Sequence, residues 1–412
     1  MSLDALRGFD MFWIVGADAL VYALERIANG GADTAPPDAP FSLARFLAYE
    51  LKHADWVGFH FYDLIFPLFV FMVGVSIVFS LRRLVETHGR AEAVRRVIRR
   101  GVLLYVIGVL YSGGIADGWD NIRWMGVLNR IAFCYLCTGL IFLFCNVRVM
   151  IGICVALLLG YWALMSFVPI RNIQLEKANI ARLAKEKGID DPHALFSQTT
   201  ERVTGKYDHG LNVANHFDFQ YLPGRKYDTY FDPEGYLSSF PAIVSCVFGV
   251  FAGLLLRSPH YGDQRKVAYL FVAGAIAVAL GWAWHFGFGM NIAPAAFPVV
   301  KKIWTSSYVL IAGGYSACLL AAYYTVVDIW KWQAWCQPFV WIGMNPITIY
   351  LTSNIIGGYR TPAKRFVGGD IKAFFDDRVA KGVGDMVIAL IGLLLAFWFA
   401  RFLYKRKIFL RL

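Results

Sequence analysis

Long apolar stretches separated by short charged segments recur along the whole chain. Of its 412 residues, 58% are hydrophobic and 16% are aromatic. A helix needs about 20 apolar residues to cross a bilayer, and lipid admits only segments whose backbone polar groups are satisfied internally. The sequence therefore predicts an all-α, polytopic integral membrane protein with about ten transmembrane helices, folded as a single domain over residues 1–412. The predicted spans are 5–28, 61–83, 97–115, 124–145, 149–169, 236–256, 267–288, 303–326, 337–356 and 384–404.

The basic residues predict the orientation of these spans. Arginines crowd the short loop after the second span, and the tail carries Lys405, Arg406, Lys407 and Arg411. Because short cytoplasmic loops are enriched in Lys and Arg, both segments are expected inside, and ten spans then place both termini in the cytoplasm. The net charge of +11 is attributed to topology and to anionic lipid, with no nucleic acid as partner.

The segment 170–235 is predicted to be the one large extracytoplasmic loop. Residues 173–187 have an amphipathic helical pattern, whereas 205–231 is rich in Asn, Asp, Gly and Tyr and predicts an irregular loop with short strands. We expect a lid or rim over the outer mouth of the membrane domain, too small to be an independent domain.

The first predicted span carries four ionisable residues: Asp4, Arg7, Asp10 and Asp18. It lacks a basic n-region, so we expect it to be retained as a span and not cleaved as a signal peptide. On a continuous helix the four residues form one stripe about 21 Å long, which must face the bundle interior. A buried ion pair that fixes packing is the favoured interpretation for Asp4 and Arg7. For Asp18, packing and function are equally open.

A histidine precedes the second predicted span. The sequence Lys52-His53-Ala54-Asp55-Trp56 is followed by an apolar run that begins at Phe61 and contains Asp63. Ionisable groups persist near a membrane where they face protein, water or substrate, and histidine can take and return a proton near neutrality. The pattern suggests proton-transfer chemistry, although a purely structural histidine is the alternative.

Further polar residues lie within the predicted spans. Arg130, after Asn129, is deep enough to require a carboxylate or a ligand anion. Asn345-Pro346 interrupts the ninth span, and the freed backbone groups are tolerated where they line a cavity. The group Trp304, Thr305, Ser307 and Tyr308 suits a sugar, with an aromatic face and hydroxyls. An interfacial aromatic belt explains the Trp equally well.

These fragments, in chain order, resemble the heparan-α-glucosaminide N-acetyltransferase family and its bacterial NagX-like relatives. The motifs that carry the resemblance are Ser2-Leu3-Asp4-Ala5-x-Arg7-Gly8, Lys52-His53-Ala54-x-Trp56, Asp63-Leu64-x-Phe66-Pro67, Gly126-Val127-Leu128-x-Arg130, Asp232-Pro233-Glu234-Gly235, Trp304-Thr305-x-Ser307-Tyr308 and Gly343-Met344-Asn345. The resemblance covers nearly the whole chain and is weakest in the segment 170–235.

The resemblance implies transfer of an acetyl group from cytoplasmic acetyl-CoA to the amine of a glucosamine-type sugar outside. His53 matches the family's catalytic histidine, and Asp18 stands where the family has an asparagine proposed to assist. No metal is implied, and a homodimer in the bacterial inner membrane is the expected setting. Candidate contacts to acetyl-CoA are Arg99, Arg100, Arg130, Asn129 and Asn345; candidate contacts to the acceptor are Asp63, Glu234, Trp304, Thr305, Ser307 and Tyr308.

Two alternatives stay open at the level of sequence. Direct transfer with His53 as general base and a ping-pong route through an acetylated His53 are both chemically allowed. A transporter of N-acetylglucosamine or a related amino sugar also suits polar residues within spans and a broken helix. The physiological acceptor is not encoded in any motif.

Overall fold

The described residues of the chain fold mainly into helices. The structure, a computed structural model, describes residues 1–32, 41–290 and 295–410; Arg411 of the predicted cytoplasmic tail lies outside them. One antiparallel pair of strands joins β1 (Ile170–Arg171) to β2 (Arg202–Val203). The helices are α1 Ser2–Phe12, α2 Asp18–Ala28, α3 Leu43–Glu50, α4 Phe61–Tyr111, α5 Val127–Phe144, α6 Val147–Phe167, α7 Lys177–Lys187, α8 Pro192–Gln198, α9 Val213–Tyr221, α10 Ser239–Arg257, α11 Asp263–His285, α12 Ser306–Tyr323, α13 Gln337–Gly343, α14 Pro346–Ile355, α15 Arg360–Val367, α16 Asp370–Arg378 and α17 Val383–Lys405.

Seven helices of the described chain are long and apolar enough to cross a membrane. They are α4, α5, α6, α10, α11, α17 and α12 with the turn that extends it to Ile329. The protein is therefore an integral membrane protein built of helices, as the sequence predicts. α4 itself contains a break at Gly89, whose φ of 82° is a conformation that glycine adopts readily. That break separates the predicted second and third spans, and the count of ten and the orientation stay predictions.

The first predicted span is not one continuous helix. α1 and α2 are separated by a π-helical turn, Trp13–Ala17, in which Gly16 has φ 125°. The expectation of a single straight stripe of charge is therefore wrong, because the break falls between Asp10 and Asp18. Asp4 and Arg7 do form an ion pair at 3.1 Å, but it is partly exposed and not buried as expected. Arg7 also donates to the carbonyl oxygen of Gly343.

The ninth predicted span is broken as Asn345-Pro346 predicts. α13 ends at Gly343, and Pro346 occupies the first position of α14, where its missing N–H costs no helical hydrogen bond. Both broken spans belong to one compact unit of the chain, formed by residues 1–53, 60–69 and those from 319 onward.

Glycines allow α1 and α13 to pack backbone to backbone in this first unit. A Cβ at Gly8 would lie 1.7 Å from the carbonyl oxygen of Phe339, and one at Gly343 would lie 1.8 Å from that of Asp4. Both glycines belong to the motifs singled out in the sequence, so their presence there has a packing cause. The apolar core beside them is shared by the turn after α1, α14 and α17, through Val15, Ile349 and Ala396 among others.

The second compact unit comprises residues 54–59 and 70–318. Within it, the segment 170–235 has a hydrophobic core of its own: Ile173, Leu175, Ile180, Leu195, Phe196, Phe219 and Phe231. The predicted helix over 173–187 is confirmed from Lys177 onward, as α7. The predicted irregular loop over 205–231 is wrong for Val213–Tyr221, which form α9 with a side-chain cap from Asn212 to the N–H of Asn215 at 2.9 Å. Action of the two units as one domain stays a prediction.

Candidate active site

His53 and Asp63 form a hydrogen-bonded pair in the first unit. The imidazole Nδ1 lies 2.8 Å from Oδ1 of Asp63. The Asp63 side chain is 0% exposed, whereas that of His53 is 52% exposed. A buried carboxylate therefore orients an imidazole that reaches solvent.

The start of α4 holds this pair in place. The other carboxylate oxygen of Asp63 accepts the backbone N–H of His60 at 3.1 Å, inside the first turn. Glu50 accepts the N–H of Phe61 at 3.0 Å, and the His60 ring contacts the carbonyl oxygen of Lys52 at 2.9 Å. Carboxylates at a helix N-terminus satisfy its orphan N–H groups and its dipole. These contacts fix the chain from residue 50 to 53 against α4.

The pairing sets what the imidazole can do. An ionised carboxylate only accepts hydrogen bonds, so Nδ1 carries the proton and donates it to Asp63. The neutral ring then has its lone pair on Nε2, the atom that takes a proton in general-base catalysis. An Asp–His pair of this kind also stabilises the imidazolium once it forms.

Tyr62 connects this pair to Asp18. Its ring centroid lies 4.8 Å from that of His53, and its hydroxyl hydrogen-bonds to Asp18. Asp18 begins α2, accepts the N–H of Ala19 at 2.8 Å and feels the charge of Arg360. The first unit thus brings together Asp18, His53 and Asp63. Tyr62 was not among the predicted site residues, although its position next to Asp63 at the start of a predicted span was a usable signal.

A cavity of about 360 Å³ lies beside Asp18 in the same unit. Two ion pairs occupy its wall: Arg26 with Asp385 at 2.7 Å, and Lys52 with Glu25 at 3.5 Å. Its lining residues are Ala19, Tyr22, Ala23, Glu25, Arg26, Lys52, Arg360 and Asp385. No motif in the sequence predicted this cluster. Basic residues at span ends predicted to be extracytoplasmic oppose the positive-inside rule, and that exception was the available signal.

Glu234 belongs to a buried network in the second unit. Arg123 donates two hydrogen bonds to Asp232, both at 2.8 Å, and a third to Glu234, also at 2.8 Å. Burial, with the charge of Asp232, raises the pKa of the Glu234 carboxyl above its usual range. Gly235 completes the motif for a steric reason, since a Cβ there would lie 1.7 Å from a carboxylate oxygen of Asp218.

Arg130 is 1% exposed, and its hydrogen-bond acceptors are neutral. Its guanidinium donates to the carbonyl oxygen of Pro233 at 2.7 Å and to the Ser238 hydroxyl, and it lies 4.7 Å from the ring of Trp304. Its Nε is buried without a hydrogen-bond partner, and its charge acts on the carboxylates of Glu234 and Asp218. The expectation of a carboxylate or ligand partner for Arg130 therefore stays a prediction.

The predicted sugar platform is internal to the second unit. Trp304 is 1% exposed, and its indole donates to the Ser245 hydroxyl at 3.3 Å. Thr305 accepts the N–H of Val300 at 3.0 Å, Ser307 donates to the carbonyl oxygen of Pro298, and Tyr308 packs edge-on against Trp304. These side chains support the start of α12, and a direct contact with a sugar stays a prediction.

The candidate acetyl-CoA residues are dispersed. Arg99 is exposed on α4, and the guanidinium of Arg100 lies 5.0 Å from the ring of Tyr135. Asn129 is buried and donates to the carbonyl oxygen of Tyr105 at 3.0 Å. Asn345, in the first unit, donates to the carbonyl oxygen of Ile408 at 3.0 Å and so fastens the C-terminal segment. Their roles toward acetyl-CoA stay predictions.

The segment 170–235 is tied to the residues that follow His53 along the chain. The indole of Trp56 donates to the carbonyl oxygen of Tyr207 at 2.7 Å and packs edge-on against His209. Trp56, three positions after His53 in the sequence, thereby anchors the segment 170–235 within the second unit.

Comparison with known proteins gives a consistent result. Residues 39–180 match the family model described as heparan-alpha-glucosaminide N-acetyltransferase, catalytic. The chain is 27% identical over 353 residues to the heparan-alpha-glucosaminide N-acetyltransferase of Mus musculus and 26% identical over 347 residues to that of Homo sapiens. Each match covers 76% of this chain and 50% of the relative, so the chain spans about half the length of the curated relatives it matches.

Proposed function

We propose that the chain, which is similar to heparan-alpha-glucosaminide N-acetyltransferases, is a member of that family and a transmembrane N-acetyltransferase. In this proposal the acetyl group of cytoplasmic acetyl-CoA passes to the amine of a glucosamine-type sugar on the extracytoplasmic side. A bacterial inner membrane is the proposed location, and a homodimer the proposed assembly.

The observation that carries the proposal is the His53–Asp63 pair. Its buried carboxylate and exposed imidazole, 2.8 Å apart, form a general base at the start of an apolar helix. A histidine with only a packing role would not need a side chain that is half exposed.

The chemistry requires one base and one leaving thiol. A glucosamine ammonium first loses a proton, and its nitrogen then attacks the thioester carbonyl carbon of acetyl-CoA. The C–N bond forms, the tetrahedral oxyanion collapses, the C–S bond breaks, and CoA leaves as a thiol. The first proton, which the ammonium loses before the attack, goes to solvent. His53 takes the second proton, which the nitrogen loses as the C–N bond forms, and returns it to the departing sulfur, a role worth roughly 10²–10⁴ in rate. Asp63 keeps the ring oriented through both transfers.

Asp18 acts on the amine in this scheme. Its carboxylate shares Tyr62 with the imidazole, so it can hold the ammonium close to His53. Arg99 and Arg100 are proposed to bind the phosphates of CoA at the cytoplasmic side, while Asn129, Arg130 and Asn345 remain proposed contacts of its pantetheine arm or of the oxyanion. Glu234, Trp304, Thr305, Ser307 and Tyr308 remain proposed acceptor contacts.

Transport of N-acetylglucosamine or a related amino sugar is the second candidate function. The broken helices α1–α2 and α13–α14 favour it, since discontinuous helices commonly line transporter binding sites. The half-exposed imidazole paired with a buried carboxylate favours the enzyme.

The direct test offers purified protein, in lipid nanodiscs, a panel of amino sugars with acetyl-CoA labelled in its acetyl group. We expect N-acetylated glucosamine-type products by mass spectrometry. Absence of any acetylated sugar, together with sugar uptake into proteoliposomes that lack acetyl-CoA, would favour the transporter. Acetyl-CoA without acceptor separates the two chemical routes, because only the ping-pong route leaves an acetyl group on His53.

A further inference from the structure

Tyr62 contacts both of the polar groups to which the proposed chemistry assigns a proton or an ammonium. Its side chain is half-buried in the first turn of α4, directly before Asp63. Its ring centroid lies 4.8 Å from that of the His53 imidazole, with the two planes inclined by 39°. At the other end of the same side chain, the hydroxyl hydrogen-bonds to Asp18. One tyrosine therefore joins the proposed base to the carboxylate proposed to hold the acceptor amine.

The hydrogen bond to Asp63 does not by itself fix the plane of the imidazole. That bond joins Nδ1 of His53 to one carboxylate oxygen at 2.8 Å, and a bond at one atom leaves rotation about its own axis unrestrained. Rotation of the ring moves Nε2, the atom that accepts the proton, and a misplacement of about 1 Å can lower a rate about 10²-fold. The Tyr62 ring packs against the imidazole and supplies the second restraint.

The hydroxyl of Tyr62 in turn restrains Asp18. The phenol donates this hydrogen bond, because an ionised carboxylate only accepts. Asp18 also accepts the N–H of Ala19 at 2.8 Å, so two donors set the direction of its carboxylate. The neighbouring Tyr22 donates to the carbonyl oxygen of Leu51 at 2.6 Å. Since the Tyr62 proton is engaged by Asp18, this hydroxyl is not placed to stabilise the oxyanion of the transferred acetyl group.

We propose that Tyr62 is a positioning residue with two separable actions. Its ring holds the imidazole of His53 so that Nε2 faces the acceptor amine, and its hydroxyl directs the carboxylate of Asp18 toward the ammonium of the same acceptor. No bond forms or breaks at Tyr62. This inference rests on the proposed function for its reaction, and it adds the residue that aligns the base with the amine-binding carboxylate.

Two substitutions separate the ring from the hydroxyl. Tyr62→Phe keeps the ring and loses the hydrogen bond, so the Kd and the KM for glucosamine should rise about tenfold while kcat stays near wild type. Tyr62→Leu loses both, so kcat should also fall, by roughly 10–10². Acetyl-CoA affinity should be unchanged in both variants. Steady-state kinetics and equilibrium binding of glucosamine without acetyl-CoA, on protein in nanodiscs, measure these quantities.

A double-mutant cycle tests whether the hydroxyl acts through Asp18. In an Asp18→Asn background, Tyr62→Phe should weaken glucosamine binding little further, because coupled residues give non-additive losses. A general loosening of the fold would instead add to the loss. Tyr221→Leu is the matched control: its ring lies 4.8 Å from that of Phe217 in the second unit and is 62% exposed. This variant should leave both the Kd for glucosamine and kcat unchanged.

Three results overturn the inference: wild-type kcat in a folded Tyr62→Leu protein, an unchanged Kd for glucosamine in Tyr62→Phe, or additive losses in the cycle with Asp18→Asn. If Tyr62→Leu folds poorly, Tyr62→Phe and the cycle decide the question. Glucosamine binding needs no acetyl transfer. Weaker binding in Tyr62→Phe, in a protein that acetylates no sugar, would therefore refute the proposed function and leave the alignment of Asp18 by Tyr62 standing.

Discussion

Ionisable side chains near membrane spans take two forms in this molecule. In the first unit, His53 is half exposed above a buried Asp63, and Arg360 lines a cavity, where its charge acts on Asp18. In the second unit, Arg123 is almost buried and donates three hydrogen bonds to two carboxylates. Arg130 is buried against a carbonyl, a hydroxyl and a ring.

The difference lies in where the polar atoms find their partners. A network closed on itself, such as that of Arg123, stabilises one arrangement of the chain, and removal of one member leaves an uncompensated buried charge. A pair that keeps a polar atom toward water or a cavity is available to a ligand. Charge near a span therefore marks a binding group only where the protein itself leaves it incomplete.

The largest expected effect follows from removal of the imidazole. His53→Ala should lower kcat/KM for amino-sugar acetylation by roughly 10²–10⁴, the usual contribution of a general base. Because Asp63 and the start of α4 remain, folding and acetyl-CoA affinity should change little. Steady-state kinetics and equilibrium binding on nanodisc-reconstituted protein measure the two quantities.

His88→Ala serves as the control, since His88 is exposed in the segment around the Gly89 break. The kcat/KM of Asp63→Asn should lie between that of the control and that of His53→Ala, because an amide still holds the ring but stabilises the imidazolium less. Wild-type turnover in His53→Ala would end the proposed mechanism and make Asp18 the next candidate base.

Removal of Arg123 tests the closed network. Arg123→Ala leaves Asp232 and Glu234 buried without their cation, and loss of one partner of a buried ion pair costs about 3–5 kcal/mol. We expect a lower unfolding temperature and a lower yield of folded protein, measured by thermal unfolding in detergent. Arg202→Ala, at an exposed position of β2, should leave both unchanged. If Arg123→Ala keeps wild-type stability but no longer acetylates, Arg123 belongs with the side chains that act on a ligand. The contrast between the two units would then not hold.

The class of fold was accessible from sequence because length and apolar composition suffice to predict membrane helices. The breaks were less accessible. Pro346 predicted one of the breaks, since proline cannot continue a helix. Gly16 and Gly89 did not predict the other two, because glycine is common in membrane helices. α9 was missed because its polar composition resembles that of a loop, although Asn212 supplies a cap.

Only part of the site could be predicted from the sequence, for a related reason. Motif spacing pointed to His53, Asp18 and Asp63, which the first unit does bring together. The cavity with Arg360 depends on contacts between α2, α15 and α17, which lie far apart in sequence. Trp304 illustrates the opposite case, since composition suggested an open sugar platform and tertiary packing buries it under Arg130.

The smallest expected effect concerns Asp218, which joins the closed network without an ion pair. Burial raises the pKa of its carboxyl to about 7, against the opposing hydrogen bond from the N–H of Tyr236 and the charge of Arg130; nearby Asp232 raises it further. The unfolded chain releases this proton near pH 4, whereas the folded chain holds it to about pH 7. The folded state thus binds more protons in that window, so stability should fall as pH rises from about 4 to about 7 and then level off.

Asp218→Asn removes this dependence, because an amide is neutral throughout and can still accept the N–H of Tyr236. From about pH 5 to about pH 8 we expect the variant to gain roughly 2–3 kcal/mol relative to wild type, observed as a widening difference in unfolding temperature. Asp190→Asn, at an exposed position of the same segment, should show no such widening. A constant difference across this range would mean that Asp218 is ionised in the folded protein, and the second unit would then hold one unpaired buried charge and no longer be closed on itself.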